Sequence, residues 1–131
     1  LADYAPSITP AIALRSSGFT PQFHAVAAVA SALDRLVEEA LADVGGLVAV
    51  IAASLDTIGF THQDSAETGR VRFLTPDQAK GLEFDAVVLI EPSEIWEPAG
   101  GGARLYIALT RATQRLSIVH ANPLPAPLQP R

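Results

Sequence analysis

Lys80-Gly81-Leu82-Glu83 sets an ammonium, a glycine and a carboxylate within four residues, inside the longer polar segment Thr75-Pro76-Asp77-Gln78-Ala79-Lys80-Gly81-Leu82-Glu83-Phe84-Asp85. Such a loop can bring its backbone close to a ligand, because glycine has no Cβ to hold it off. Thr75 opens the segment, where it can cap a short turn over 76–79 or contact a ligand. A second segment, Leu105-Tyr106-Ile107-Ala108-Leu109-Thr110-Arg111-Ala112-Thr113, puts an arginine near a helix C-terminus. A guanidinium there can satisfy orphan carbonyls and the helix dipole, or it can be offered to an anion.

Other chemistries lack their residues. No Gly-rich loop ends in Lys-Ser or Lys-Thr, so the chain has no phosphate cradle of the Walker type. Gly100-Gly101-Gly102 lacks the lysine and reads as plain loop. His24, His62 and His120 have no partner at metal-ligand spacing. Cysteine is absent, and Ser16, Ser17, Ser54 and Ser65 stand in no nucleophile elbow. These absences argue against a hydrolase with its own complete active site.

The 131 residues are 49% hydrophobic and 18% charged, which excludes disorder and supports one domain with a real core. The net charge of −5 is unevenly spread. Residues 1–69 carry two arginines against eight acids, whereas residues 70–115 carry six cations against six acids. The whole domain is therefore not a basic nucleic-acid binder, but a local anion site in the second half is allowed. No apolar run has the length of a membrane span, about 18–20 residues, and Leu1-Ala2-Asp3-Tyr4 lacks the basic start of a secretory signal. A chain without a single methionine reads as an excised or processed piece of something longer, and the expected location is the cytoplasm.

Several elements must position the two segments. Ala11–Arg15 and Gln22–Val26 are short strand candidates. Val26, Val29, Ala30, Leu33, Leu36, Val37, Ala40, Leu41 and Val44 recur at helical spacing, and Gly45-Gly46 should end that helix in a left-handed turn. Leu47–Ala53 is apolar throughout, and Phe84–Ile90 is apolar but for Asp85, as in strands buried on both faces. Val71–Leu74 and Arg115–Ala121 are further strands, 54–69 a helical turn and surface loop, 91–102 a loop, and 103–113 a short helix. Four prolines after residue 122 make 123–131 an extended tail outside the domain of residues 1–122. The alternation predicts an α/β fold with a mostly parallel sheet. Ligands in such sheets sit beyond the carboxyl ends of the strands, which points to the loop after 74 and the helix before 114.

Lys80-Gly81-Leu82-Glu83-Phe84-Asp85, followed by Leu105-Tyr106-Ile107-Ala108-Leu109-Thr110-Arg111-Ala112, resembles motifs V and VI of superfamily 1 helicases of the UvrD/Rep type. Arg15-Ser16-Ser17-Gly18 with Pro21, Thr113-Gln114-Arg115-Leu116, and His120 with Pro123-Leu124-Pro125 look closest to the HelD branch, helicase-like factors that act on bacterial RNA polymerase. The resemblance implies a RecA-like second lobe, with helices on both faces of its sheet and no P-loop of its own. ATP with Mg2+ would be bound mainly by an N-terminal RecA-like lobe. It further implies that Arg111 reaches the γ-phosphate, Glu83 meets the ribose, Gly81 lets the backbone approach, and Lys80 and Thr75 lie along a loop joining nucleotide to nucleic acid.

One departure bears on that implication. The family's Thr-x-His-x-x-Lys-Gly has Asp77 at the histidine place, after Pro76. A carboxylate repels a phosphate backbone. This disfavours ordinary single-strand tracking and leaves open a module that docks on RNA polymerase, with nucleotide as regulator.

Overall fold

The computed structural model describes residues 19–54 and 69–129. In chain order these form β1 (Gln22–Ala25), α1 (Val29–Asp43), β2 (Val48–Ile51), β3 (Val71–Leu74), α2 (Pro76–Ala79), β4 (Phe84–Ile90), α3 (Pro92–Trp96), α4 (Gly101–Leu109), β5 (Ala112–His120) and a 3-10 turn at Ala126–Leu128. The strands make one sheet in the order β1-β5-β4-β2-β3, and every pairing is parallel. The expected α/β fold is the fold observed. The candidate strand at 11–15 and the turn at 55–68 lie outside the described residues.

The apolar runs in β2 and β4 alternate between two cores. Ala49, Ile51, Val87 and Leu89 pack with Leu105, Ala108 and Leu109 of α4 on one face. Val48, Val50, Ala86, Val88 and Ile90 pack with Leu33, Leu36 and Ala40 of α1 on the other. A strand covered on both sides has no solvent face, so its sequence lacks polar alternation. Among the described residues, no helix is long and apolar enough to cross a membrane.

Four boundaries differ from the sequence reading, each for a physical reason. α1 ends at Asp43, where Val44 turns extended (φ −122°), and neither Gly45 nor Gly46 has a positive φ. The stop comes instead from Arg70, whose guanidinium donates to the carbonyls of Leu41 (3.1 Å), Val44 (2.6 Å) and Gly46 (3.0 Å). A charged donor thus occupies one orphan acceptor of the last turn, at Leu41, and two carbonyls just beyond the helix.

The supposed loop at 91–102 holds α3 and the start of α4. Glu91 reverses the chain with φ +44° and Pro92 begins α3, where its missing N–H costs nothing. Gly101 packs onto the carbonyls of Ile95 and Trp96, so closely that a Cβ would collide with both. The glycine run therefore seats one helix against the other.

α4 stops at Leu109 and β5 starts at Ala112, not at 115. The Thr110 hydroxyl caps the carbonyls of Tyr106 and Ile107, and the Phe84 N–H already pairs with the Arg111 carbonyl. Finally, the Pro-rich segment does not run free of the core. Leu128 is buried, and Leu124 packs on the same cluster as α4. Glu91 steers the chain into this path by accepting from the N–H groups of Ala121 (3.0 Å) and Asn122 (3.2 Å).

Candidate functional site

The link from β3 to β4 must return from the carboxyl edge of the sheet to its amino edge, because the strands are parallel. Thr75 starts it with a capping box. Its Oγ1 accepts from the Gln78 N–H (3.4 Å), and the Gln78 side chain accepts from the Thr75 N–H (3.0 Å). Of the two roles open to Thr75, capping is the one its hydroxyl performs here. After α2, Gly81 turns with φ +83°, a conformation that suits a residue without a Cβ, and the Leu82 N–H bonds the Ala79 carbonyl. Leu82 and Glu83 then stand exposed at the amino edge, just before β4.

Arg111 arrives at the same edge, in the two-residue joint between α4 and β5. Its carbonyl accepts from the Phe84 N–H at 2.9 Å. Its guanidinium donates to the Leu82 carbonyl through Nη1 (3.3 Å) and to Thr110 Oγ1 through Nη2 (3.1 Å). Glu83 is thereby held between two residues that both bond Arg111. The Nε of Arg111 is buried and has no hydrogen-bond partner among the described residues. No carboxylate forms an ion pair with Arg111 among those residues; its hydrogen-bond acceptors there are neutral oxygens.

The structure thus brings Gly81, Glu83 and Arg111 together, with exposed Lys80 beside them. It places them at the amino edge, contrary to the expectation of a site beyond the carboxyl ends. Direction along the chain decides this: α4 runs back against the strands, so its end lies where they begin. Thr75 is at the other edge, and α2 separates it from Gly81. The pairing of Thr75 with Lys80 as one nucleic-acid contact is therefore spread across the length of α2.

The carboxyl edge has its own feature, a cavity of about 420 Å³ lined by Ala53, Thr75, Asp77, Glu94, Pro98 and Arg104, among others. It lies where the chain leaves β2 toward β3 on one side and β4 toward β5 on the other, the usual ligand position in such sheets. Arg104 donates to Asp77 (3.5 Å) and to the Ala99 carbonyl (2.8 Å). Partial burial, then the nearby Glu91 and Glu97 carboxylates, raise the pKa of Glu94. The balance of this cavity is acidic.

The six cations of residues 70–115 divide accordingly. Arg70 caps α1 and Arg72 donates to the Gly69 and Val71 carbonyls. Arg104 pairs with Asp77. Arg115 pairs with Asp43 (3.2 Å) and Glu39 (3.6 Å) of α1. Lys80 and Arg111 remain at the amino edge with no ion pair among the described residues. Thr110 and the Leu82 carbonyl, which hold Arg111, were not singled out by sequence; the adjacent Thr-Arg pair at a helix end was their one visible signal. Arg15–Gly18 lie outside the described residues. Arg115 is spent on α1, and the His120 ring bonds the Asn122 carbonyl (2.8 Å).

No curated protein sequence matches the chain at a significant level. Among solved structures, it is similar to the C-terminal domain of a possible DNA helicase from Lactobacillus plantarum WCFS1 (TM-score 0.68, 20% identity, covering 95% of this chain and 91% of that one). At that identity the likeness establishes the fold. Residues 70–119, which run from the threshold of β3 almost to the end of β5 and contain both edges of the site, match the UvrD-like helicase C-terminal domain family.

Proposed function

We propose that this chain is the second lobe of an ATP-driven, helicase-like motor of the cytoplasm. It completes an ATP site whose phosphate loop belongs to an N-terminal RecA-like lobe. One observation carries the reading: Arg111 is tied to both residues that flank Glu83, so a guanidinium and a carboxylate share one open edge. The residues present fit a nucleotide. Arg111 has its charge unopposed by any carboxylate among the described residues, and its Nη1 and Nη2 meet only neutral oxygens there. Glu83 is an exposed acceptor for ribose hydroxyls, Gly81 allows close backbone approach, and Lys80 is a second cation.

ATP would supply the transferable phosphoryl group, with charge building on its oxygens. Arg111 would stabilise that charge as an arginine finger does. The Mg2+ is assigned to the first lobe with the phosphate loop, as the resemblance implies. The test is Arg111→Ala in the full-length protein. Turnover should fall about 10³-fold or more, and normal turnover would refute the assignment.

A second reading concerns the partner, which is DNA or, as in the HelD branch, RNA polymerase. The acidic cavity favours polymerase docking, since Asp77 and Glu94 stand beside Thr75 where a phosphate backbone would pass. Strong, salt-sensitive single-strand binding by the full-length protein would support DNA. Weak binding at low salt, with polymerase binding gated by Glu83 and Arg111 variants, would support the docking role.

A further inference from the structure

We infer that Thr110 is a positioning residue for Arg111, and that its hydroxyl fixes where the guanidinium is presented. The inference rests on the reading of Arg111 as the group that meets the triphosphate. A threonine hydroxyl has one proton to give and lone pairs to receive. Here both capacities are used in a fixed direction. The O–H points back to the last turn of α4, with the Tyr106 carbonyl at 2.9 Å and the Ile107 carbonyl at 3.2 Å. The oxygen then faces outward and accepts from Arg111 Nη2 at 3.1 Å.

The guanidinium is planar, so two anchored nitrogens set its orientation. Thr110 holds Nη2, and the Leu82 carbonyl holds Nη1 at 3.3 Å. Leu82 is itself fixed by its N–H bond to the Ala79 carbonyl (3.0 Å), and Phe84 by its bond to the Arg111 carbonyl (2.9 Å). Helix α4 and the loop carrying Glu83 thus converge on the guanidinium of Arg111, and the first residue of β4 holds its backbone. Thr110 is the one side chain in that set, so it can be altered without changing the backbone bonds.

Arg111 can keep the Thr110 anchor while it exchanges the Leu82 carbonyl for a phosphate oxygen. Loss of the hydroxyl leaves binding of the remaining nucleotide intact but frees the guanidinium to sample other directions. The expected signature is a fall in kcat of about tenfold, the weight of one hydrogen bond from a charged donor, with KM for ATP unchanged.

The experiment compares Thr110→Val, Thr110→Ala, Thr110→Ser and Arg111→Ala in the full-length protein, with ATP as substrate and melting temperature as the folding control. Thr110→Val keeps the shape, and Thr110→Ala removes the same hydroxyl without placing a methyl against Arg111. Both should lose kcat alone, while Thr110→Ser should restore it. Wild-type kcat in the Val and Ala variants, with Arg111→Ala inactive, would overturn the positioning role and spare the reading of Arg111. A Ser variant as slow as Val would also overturn it, since the hydroxyl would then be irrelevant. Normal turnover in Arg111→Ala would bring down the reading itself, and the role of Thr110 with it.

Discussion

Arg111 donates through Nη1 to the Leu82 carbonyl across 29 residues of sequence, one position before Glu83. The loop geometry that makes this possible depends on Gly81, whose φ of +83° is strained for any residue bearing a Cβ. Nothing lies within 4 Å of the place a Cβ would take, so conformation rather than space sets the penalty. Gly81→Ala should destabilise the fold by about 1–2 kcal/mol, measured by urea denaturation. In the full-length protein it should also lower ATP turnover, because Leu82 no longer aims its carbonyl at Arg111.

Arg70 should prove to be a stability residue with no part in turnover. Its guanidinium meets three carbonyls at and just beyond the end of α1. Arg70→Ala should cost about 2 kcal/mol, the scale of hydrogen bonds to a charged group, with α1 fraying from its C-terminus. Arg70→Lys should recover little, because one ammonium cannot reproduce the fork. Denaturant melts, with amide exchange across Leu41–Gly46, check both statements.

The Pro-rich segment should contribute to the stability of the domain. Leu128 is 6% exposed and lies in the cluster built by β2, β4 and α4. Leu128→Ala should cost about 2 kcal/mol, the low end for a buried leucine at the rim of a core. A chain ending at Asn122 should melt at a lower temperature than one ending at Arg131. Equal melting temperatures would mean that the docked turn contributes nothing.

His24 gives the fold an acid sensitivity. Burial lowers its pKa, Arg35 and Arg115 lower it further, and Glu39 opposes them. Its Nε2 is buried without a hydrogen-bond partner among the described residues. A depressed histidine means that the unfolded chain takes up a proton first. The stability tied to its neutral form is therefore present at neutral pH and falls as pH drops below the ordinary value of 6.5. His24→Asn should flatten the fall in melting temperature between about pH 7 and about pH 5. An unchanged slope would show that other groups set it.

What the sequence disclosed and what it withheld follow from the range of the interactions. The stripe from Val29 to Val44 and the apolar runs of β2 and β4 were legible because burial writes itself into neighbouring residues. The two motif segments stood out by residue type and spacing. Their edge was not legible, since it depends on α4 running against the strands. The end of α1 was misread because its cap, Arg70, comes from 26 residues downstream of Val44. α3 was hidden by composition: a proline and nearby glycines signal a loop locally, yet Pro92 begins a helix and Gly101 packs one. The tail was misread for a similar reason, because two isolated leucines among prolines show no periodicity.

The order β1-β5-β4-β2-β3 has a temporal meaning. The first described strand finds its neighbour only in the last, with Gln22 and Arg115 touching from 93 residues apart. During synthesis β1 must wait with an empty margin until β5 has emerged, and long-range closure of this kind is slow. A ribosome stalled before Ala112 would leave β1 without its partner and β4 paired only with β2, so both margins stay open to proteases and self-association until β5 is made.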